Sequence, residues 1–91
     1  MQKVISIADT KKGPRIWIQG TTAMGWNGGD RYNIELGDGW IKLEKATDGA
    51  RAVTAAKGGI IDLTGKKYQG ICDGHHRINL DASAEIIVLY I

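Results

Sequence analysis

The stretches IWIQGTTAMGWNGG (Ile16 to Gly29) and IDLTGKKYQGICDG (Ile61 to Gly74) align without a gap at a fixed offset of 45 residues. Ile16, Gly20, Gly25 and Gly29 fall on Ile61, Gly65, Gly70 and Gly74, with Ile18 on Leu63 and Trp26 on Ile71. Beyond them, a one-residue slip pairs the alternation Tyr32-Ile34-Leu36 with His76-Ile78-Leu80. Each copy then ends in a short apolar run, Trp40 to Leu43 and Ile86 to Ile91. Self-similarity at this period decides the architecture before any local reading does. The expected organisation is one domain: a first repeat over about 15–46, a linker over 47–59, and a second repeat over about 60–91.

Working outward, strand signals dominate. Val4 to Ile7 is a short apolar run closed by the turn-rich Asp9-Thr10-Lys11-Lys12-Gly13-Pro14. Arg15 to Gln19 reads as a strand ended by Gly20, and Arg31 to Leu36 alternates in strand register. Gly37-Asp38-Gly39 makes a hairpin turn into Trp40 to Lys45. Thr21 to Met24 has room for one helical turn, with Thr21 as its N-cap and Gly25 as its stop. The linker carries a brief strand around Ala50 to Thr54. The second copy follows as strand 60–64, short turn or helix 66–69, turn 70–74, strand 76–80, hairpin Asp81-Ala82-Ser83 and strand 84–91. No amphipathic helix of about ten residues or more can be drawn. The expected fold is mainly β with one-turn helices. A strand, short helix and hairpin leave one sheet face and one edge uncovered, so two such units close on each other as a small barrel.

Composition narrows the function. A chain of 91 residues buries only about 60% of the surface exposed when unfolded, which disfavours a deep enclosed active site. A single cysteine, Cys72, excludes an intrachain disulfide. The N-terminal apolar run is too short for a signal peptide and nothing approaches a membrane span, so the expected location is the cytoplasm. The net charge of +2 sits wholly in the first half: residues 1–46 hold seven Lys/Arg against five Asp/Glu, and residues 47–91 hold five against five.

Catalytic and metal signals are thin. Cys72-Asp73-Gly74-His75-His76 is the one cluster with the ingredients of chemistry. A structural zinc site wants about four ligands, and the chain offers no second cysteine and no further histidine. A nucleophilic Cys72 would need a base held at hydrogen-bond distance, which adjacency in a turn does not provide. The glycine-rich Gly25-Trp26-Asn27-Gly28-Gly29 lacks the Lys-Ser/Thr terminus of a phosphate loop and leads into a strand. No enzyme activity and no cofactor are implied.

The run RIWIQGTTAMGWNGGDRYNIELGDGWIKLEK (Arg15 to Lys45) resembles the strand, short helix, glycine-aspartate turn and hairpin of the AbrB/MazE-like swapped-hairpin superfamily, in the flavour of its SymE-like branch. The second copy departs from the pattern, with Gly74-His75 where the first has Gly29-Asp30 and with Lys66 and Lys67 at apolar positions of the short helix. In that family two chains interlock hairpins into one barrel, so a duplicated chain builds the barrel alone, and hairpin exchange also opens a route to a homodimer. The resemblance implies DNA binding, as a transcriptional regulator or antitoxin-like protein. It places Lys11, Lys12 and Arg15 at the DNA, with Lys57 in the corresponding stretch of the second copy. Lysines beside a tight turn reach phosphates, and a strand arginine can read guanine edges.

The three tryptophans divide. Trp26, matched by Ile71, belongs to the core. Trp17 and Trp40 are out of phase with Ile16/Ile18 and Ile41/Leu43, so they face the other side of their strands and are candidates for a partner surface. They motivate an alternative of a different class: a small module that binds and inhibits a host protein complex, of the kind found among mobile-element proteins such as anti-CRISPRs.

Overall fold

The computed structural model describes residues 1–91. It is mainly β: eight antiparallel strands form a nearly closed barrel, with short helical turns. The strands are β1 (Gln2–Thr10), β2 (Gly13–Gln19), β3 (Arg31–Gly37), β4 (Trp40–Lys45), β5 (Arg51–Ala52), β6 (Ile60–Thr64), β7 (Arg77–Ala82) and β8 (Ile86–Tyr90). They lie in the order β5-β3-β4-β8-β7-β1-β2-β6. The two ends of this order meet at one pair of backbone hydrogen bonds, Thr54 N–H to Ile60 O and Ile60 N–H to Thr54 O, both 2.9 Å. Replacing each strand by the one four places along the chain returns the same ring of neighbours.

The registers follow the same rule. β2 and β6 cross with Ile16 opposite Leu63, Ile18 opposite Ile61 and Trp17 opposite Asp62. β4 and β8 cross with Ile41 opposite Leu89, Leu43 opposite Ile87 and Lys42 opposite Val88. In both pairs the inward residues are branched aliphatics buried to within 1% of complete. Alternation at period two puts them all on the inner wall, which is why the barrel is filled rather than hollow. In the hairpins, Ile34 faces Leu43 as Leu80 faces Leu89, and Leu36 faces Ile41 as Ala82 faces Ile87. Tyr32-Ile34-Leu36 therefore takes the place of Ile78-Leu80-Ala82, not of His76-Ile78-Leu80 as the sequence alignment had it. The turn before β7 holds one more residue than the turn before β3, which reverses the slip. His76 lies outside the strand and is exposed.

Strand β1 is longer than its apolar run and is mostly exposed, with Ile5 its one buried residue. Its first half pairs with β7 and its second half with β2. Between β2 and β3, Thr21–Met24 is a 3-10 turn. Thr21 is not its N-cap: that place is held by Gly20 at φ 74°, and the Thr21 hydroxyl donates to Trp26 O at 2.8 Å. Gly25 stops the turn at φ 85°. Between β6 and β7, a 3-10 turn over Lys66–Tyr68 runs into one α-helical turn over Gln69–Cys72.

Trp26 is the largest fully buried side chain. Its ring meets Tyr32 edge to face, with centroids 5.8 Å apart, a geometry worth roughly 1 kcal/mol beyond the area buried. Its indole N–H donates to Ser83 O at 2.8 Å. A side chain of the first half thereby pins the β7–β8 turn of the second.

Candidate nucleic-acid interface

Lys11 and Lys12 form the exposed turn between β1 and β2. The turn is shaped locally: the Thr10 hydroxyl donates to Gly13 O at 2.7 Å and accepts from the Lys12 N–H at 3.2 Å. Gly13 then passes so close to the start of the next short helix that a Cβ on it would lie 2.7 Å from the Gly65 carbonyl carbon and 2.8 Å from Lys66 N. At φ 119° only glycine is comfortable there. Gly65 N–H donates to Pro14 O at 3.1 Å, which fixes the approach. Lys66 and Lys67 thus come alongside the Lys11-Lys12 turn, and one end of the barrel carries four lysines. None of the four is in an ion pair.

Arg15 points outward from β2 beside this end. Its guanidinium sits 4.4 Å from the centre of the Trp17 ring and contacts the Asp62 carboxylate of β6 at 3.4 Å. Both charged side chains are 40% exposed, so the pair is screened and worth less than about 1 kcal/mol. An incoming phosphate can compete for the guanidinium at little cost. Lys11, Lys12, Arg15, Asp62, Thr10 and Thr64 line a shallow open cleft of about 470 Å³. A second cleft of about 490 Å³ lies where β1 turns away from β2, between Val4 and Ser6 on one side and Trp17 and Gln19 on the other.

The other sequence candidates lie elsewhere. Lys57 is exposed and sits at φ 52° in the 3-10 turn Ala56–Gly58, next to Gly20. That is the far end of β2 from Lys12, roughly 20 Å away for a strand of this length. The structure therefore separates Lys57 from Lys11, Lys12 and Arg15. Trp17 and Trp40 are also apart, since β2 and β4 stand on opposite walls of the barrel. Trp17 is 36% exposed and its indole N–H donates to Gln19 Oε1 at 3.2 Å. Trp40 is half-buried and lays its ring across Gly37, covering the backbone of the facing strand where a side chain would collide.

Lys66 and Lys67 were not among the sequence candidates, because nothing in their spacing places them near Lys11.

Cys72 is buried, and burial pushes its thiol pKa up, so it stays protonated at neutral pH. His75 and His76 are exposed. No group of three or more His, Cys, Asp or Glu side chains is placed to hold a metal ion. No helix is long and apolar enough to cross a membrane. Compared with models of known families, with curated proteins and with solved structures, the chain finds no match.

Proposed function

We propose that the protein binds DNA, as a small regulator or antitoxin-like protein, through the basic end formed by Lys11, Lys12, Lys66 and Lys67 with Arg15 beside it. The observation that carries this reading is the contact of Gly13 with Gly65 and Lys66, which brings lysines from both halves of the chain to one end of the barrel, none of them in an ion pair, beside the exposed Arg15–Asp62 pair. The ring of strands that repeats after four, and the like registers of β2–β6 and β4–β8, support a duplicated swapped-hairpin barrel closed within one chain. In such a barrel the first-strand turns face the DNA, as the resemblance of Arg15 to Lys45 implies.

Phosphate contact by four lysines gives an affinity that falls with salt, with a slope of log K against log salt of about −3 to −4. A gel-shift and fluorescence titration with random duplex DNA at low and at physiological salt measures it. Charge reversal at Lys12 and Lys66 together should abolish retention, and Lys57→Glu should leave it unchanged. Undiminished binding in the double variant, or none at low salt, sinks the reading.

A further inference from the structure

The two hairpins of the barrel do not end alike. On β7 the edge away from β8 is covered by β1, with Gln2 opposite Asp81, Lys3 opposite Leu80, Val4 opposite Asn79 and Ile5 opposite Ile78. Met1 extends this cover, exchanging hydrogen bonds with Ala82 through its amino group at 2.9 Å and its carbonyl at 2.8 Å. On β3 the matching edge is covered only at Arg31 and Tyr32, by Ala52 and Arg51. The chain needed to cover the rest is spent on the crossing from β4 to β5, where Gly49 packs on the Tyr32 backbone and Ala50 N–H donates to Asn33 Oδ1 at 3.0 Å.

Past Asn33 the edge is bare. Ala46 N–H bonds to Arg31 O, so the odd residues of β3 turn their backbone groups to β4 and the even ones turn theirs outward. The N–H and C=O groups of Ile34 and Leu36 therefore form a row with no strand beside it. The side chains at the same positions are incompletely covered: Ile34 is half-buried, and Leu36, whose register sets it on the inner side, is 42% exposed. Between Asn33 and Gly37 there is no proline, bulge or inward-pointing lysine, and the one charge is that of Glu35.

We propose that this edge docks an extended segment of a partner protein, added antiparallel to β3 in the place that Met1 to Val4 occupies on β7. The chemistry of the slot describes the occupant. Two apolar side chains at alternate positions lie against Ile34 and Leu36, and a lysine or arginine between them faces the Glu35 carboxylate, which is 60% exposed and lies 3.4 Å from Lys42 Nζ of β4, a screened surface pair that an incoming cation can share. Proline is excluded wherever the occupant must bond to Ile34 or Leu36. A second copy of β3 fits poorly, because the two-fold pairing that uses both Ile34 and Leu36 sets Glu35 against Glu35. The site is independent of the lysine end, and neither needs the other.

The test is an amide-exchange and chemical-shift titration of the labelled protein with the peptide acetyl-Thr-Val-Lys-Val-Thr-amide. In the free protein at low concentration, Ile34 and Leu36 amides should exchange at least tenfold faster than those of Leu80 and Ala82. The peptide should slow the first pair at least tenfold and leave the second pair unchanged. Leu36→Pro removes an outward N–H without touching the β4 ladder and should weaken binding at least tenfold. Glu35→Lys keeps the backbone, should weaken the lysine peptide, and should regain binding when the peptide carries Glu in place of Lys. Absence of protection at millimolar peptide, protection of Ile34 and Leu36 that grows with protein concentration alone, or binding indifferent to the charge exchange overturns the proposal.

Discussion

The two halves of the barrel use the same ladder but finish their seams differently. Where β1 leaves β7 for β2, the inward residue is Ile5, 7% exposed and packed in the core. At the matching place, where the chain leaves β3 for β6, the residue is Arg51, and its guanidinium donates to Asp62 O at 2.9 Å. One seam is sealed by an aliphatic side chain and two runs of ladder. The other is closed by Arg51, by the buried Val53 and by shorter ladders, two residue pairs to β3 and one pair of backbone bonds to β6. A barrel can close with one well-zipped seam, and the second is then free to be short.

If that asymmetry governs stability, substitutions at matched positions should separate. The largest difference is expected at Trp26 and Ile71, which the alignment pairs: Trp26→Ala should cost about 3–5 kcal/mol in urea denaturation, and Ile71→Ala, at a half-buried site, about 1–2 kcal/mol. Equal losses would mean the two short helical segments bear equal load. Arg51→Met should come next, at about 1–3 kcal/mol, because it leaves the Asp62 carbonyl at the seam without its donor. Ile5→Val on the other seam should cost only about 1 kcal/mol, by the same measurement.

A smaller effect of opposite sign is expected at Tyr68. Its hydroxyl is buried with no hydrogen-bond partner, and burial raises its pKa. Tyr68→Phe should be neutral or stabilise by up to about 1 kcal/mol, read from the same denaturation midpoints. A loss above that would reveal a partner for the hydroxyl.

The smallest effect is a pH dependence confined to the first half. Asp30 accepts from Asn27 N–H at 2.8 Å and lies 3.3 Å from Lys45 Nζ, and these contacts, the backbone bond first, hold its carboxyl below the usual 3.8. Its folded pKa being depressed, its contribution is present above that value and is lost as pH falls through the folded pKa. Asp30→Asn should therefore flatten the acid limb of stability below about pH 4.

Strands whose faces alternate were legible from sequence. β2, β3, β4 and β6 fall within a residue or two of the pattern, because a half-buried strand writes its inner wall as every second residue. The full length of β1 was not legible. Gln2, Lys3 and Asp9 carry no apolar signal, and the strand is held by partners more than sixty residues away as well as by its neighbour. The placement of Trp26 in the core was also readable, but its bond to Ser83 was not, since a turn 57 residues distant supplies the acceptor. At the lysine end, Lys11, Lys12 and Arg15 were visible as a basic turn. Their meeting with Lys66 and Lys67 depends on a backbone approach that no side-chain pattern records.

The ring of strands also sets an order on synthesis. Ile5 pairs with Ile78, Ile18 with Ile61 and Leu43 with Ile87, so each inter-half seam waits for a residue made more than forty positions later. While the second half is still being made, only the β1–β2 and β3–β4 hairpins and the two-residue β3–β5 pairing can form, and isolated hairpins are marginal in water. A nascent chain of this protein stays open until nearly its last strand emerges, and its folding is paced by the closure of those long loops.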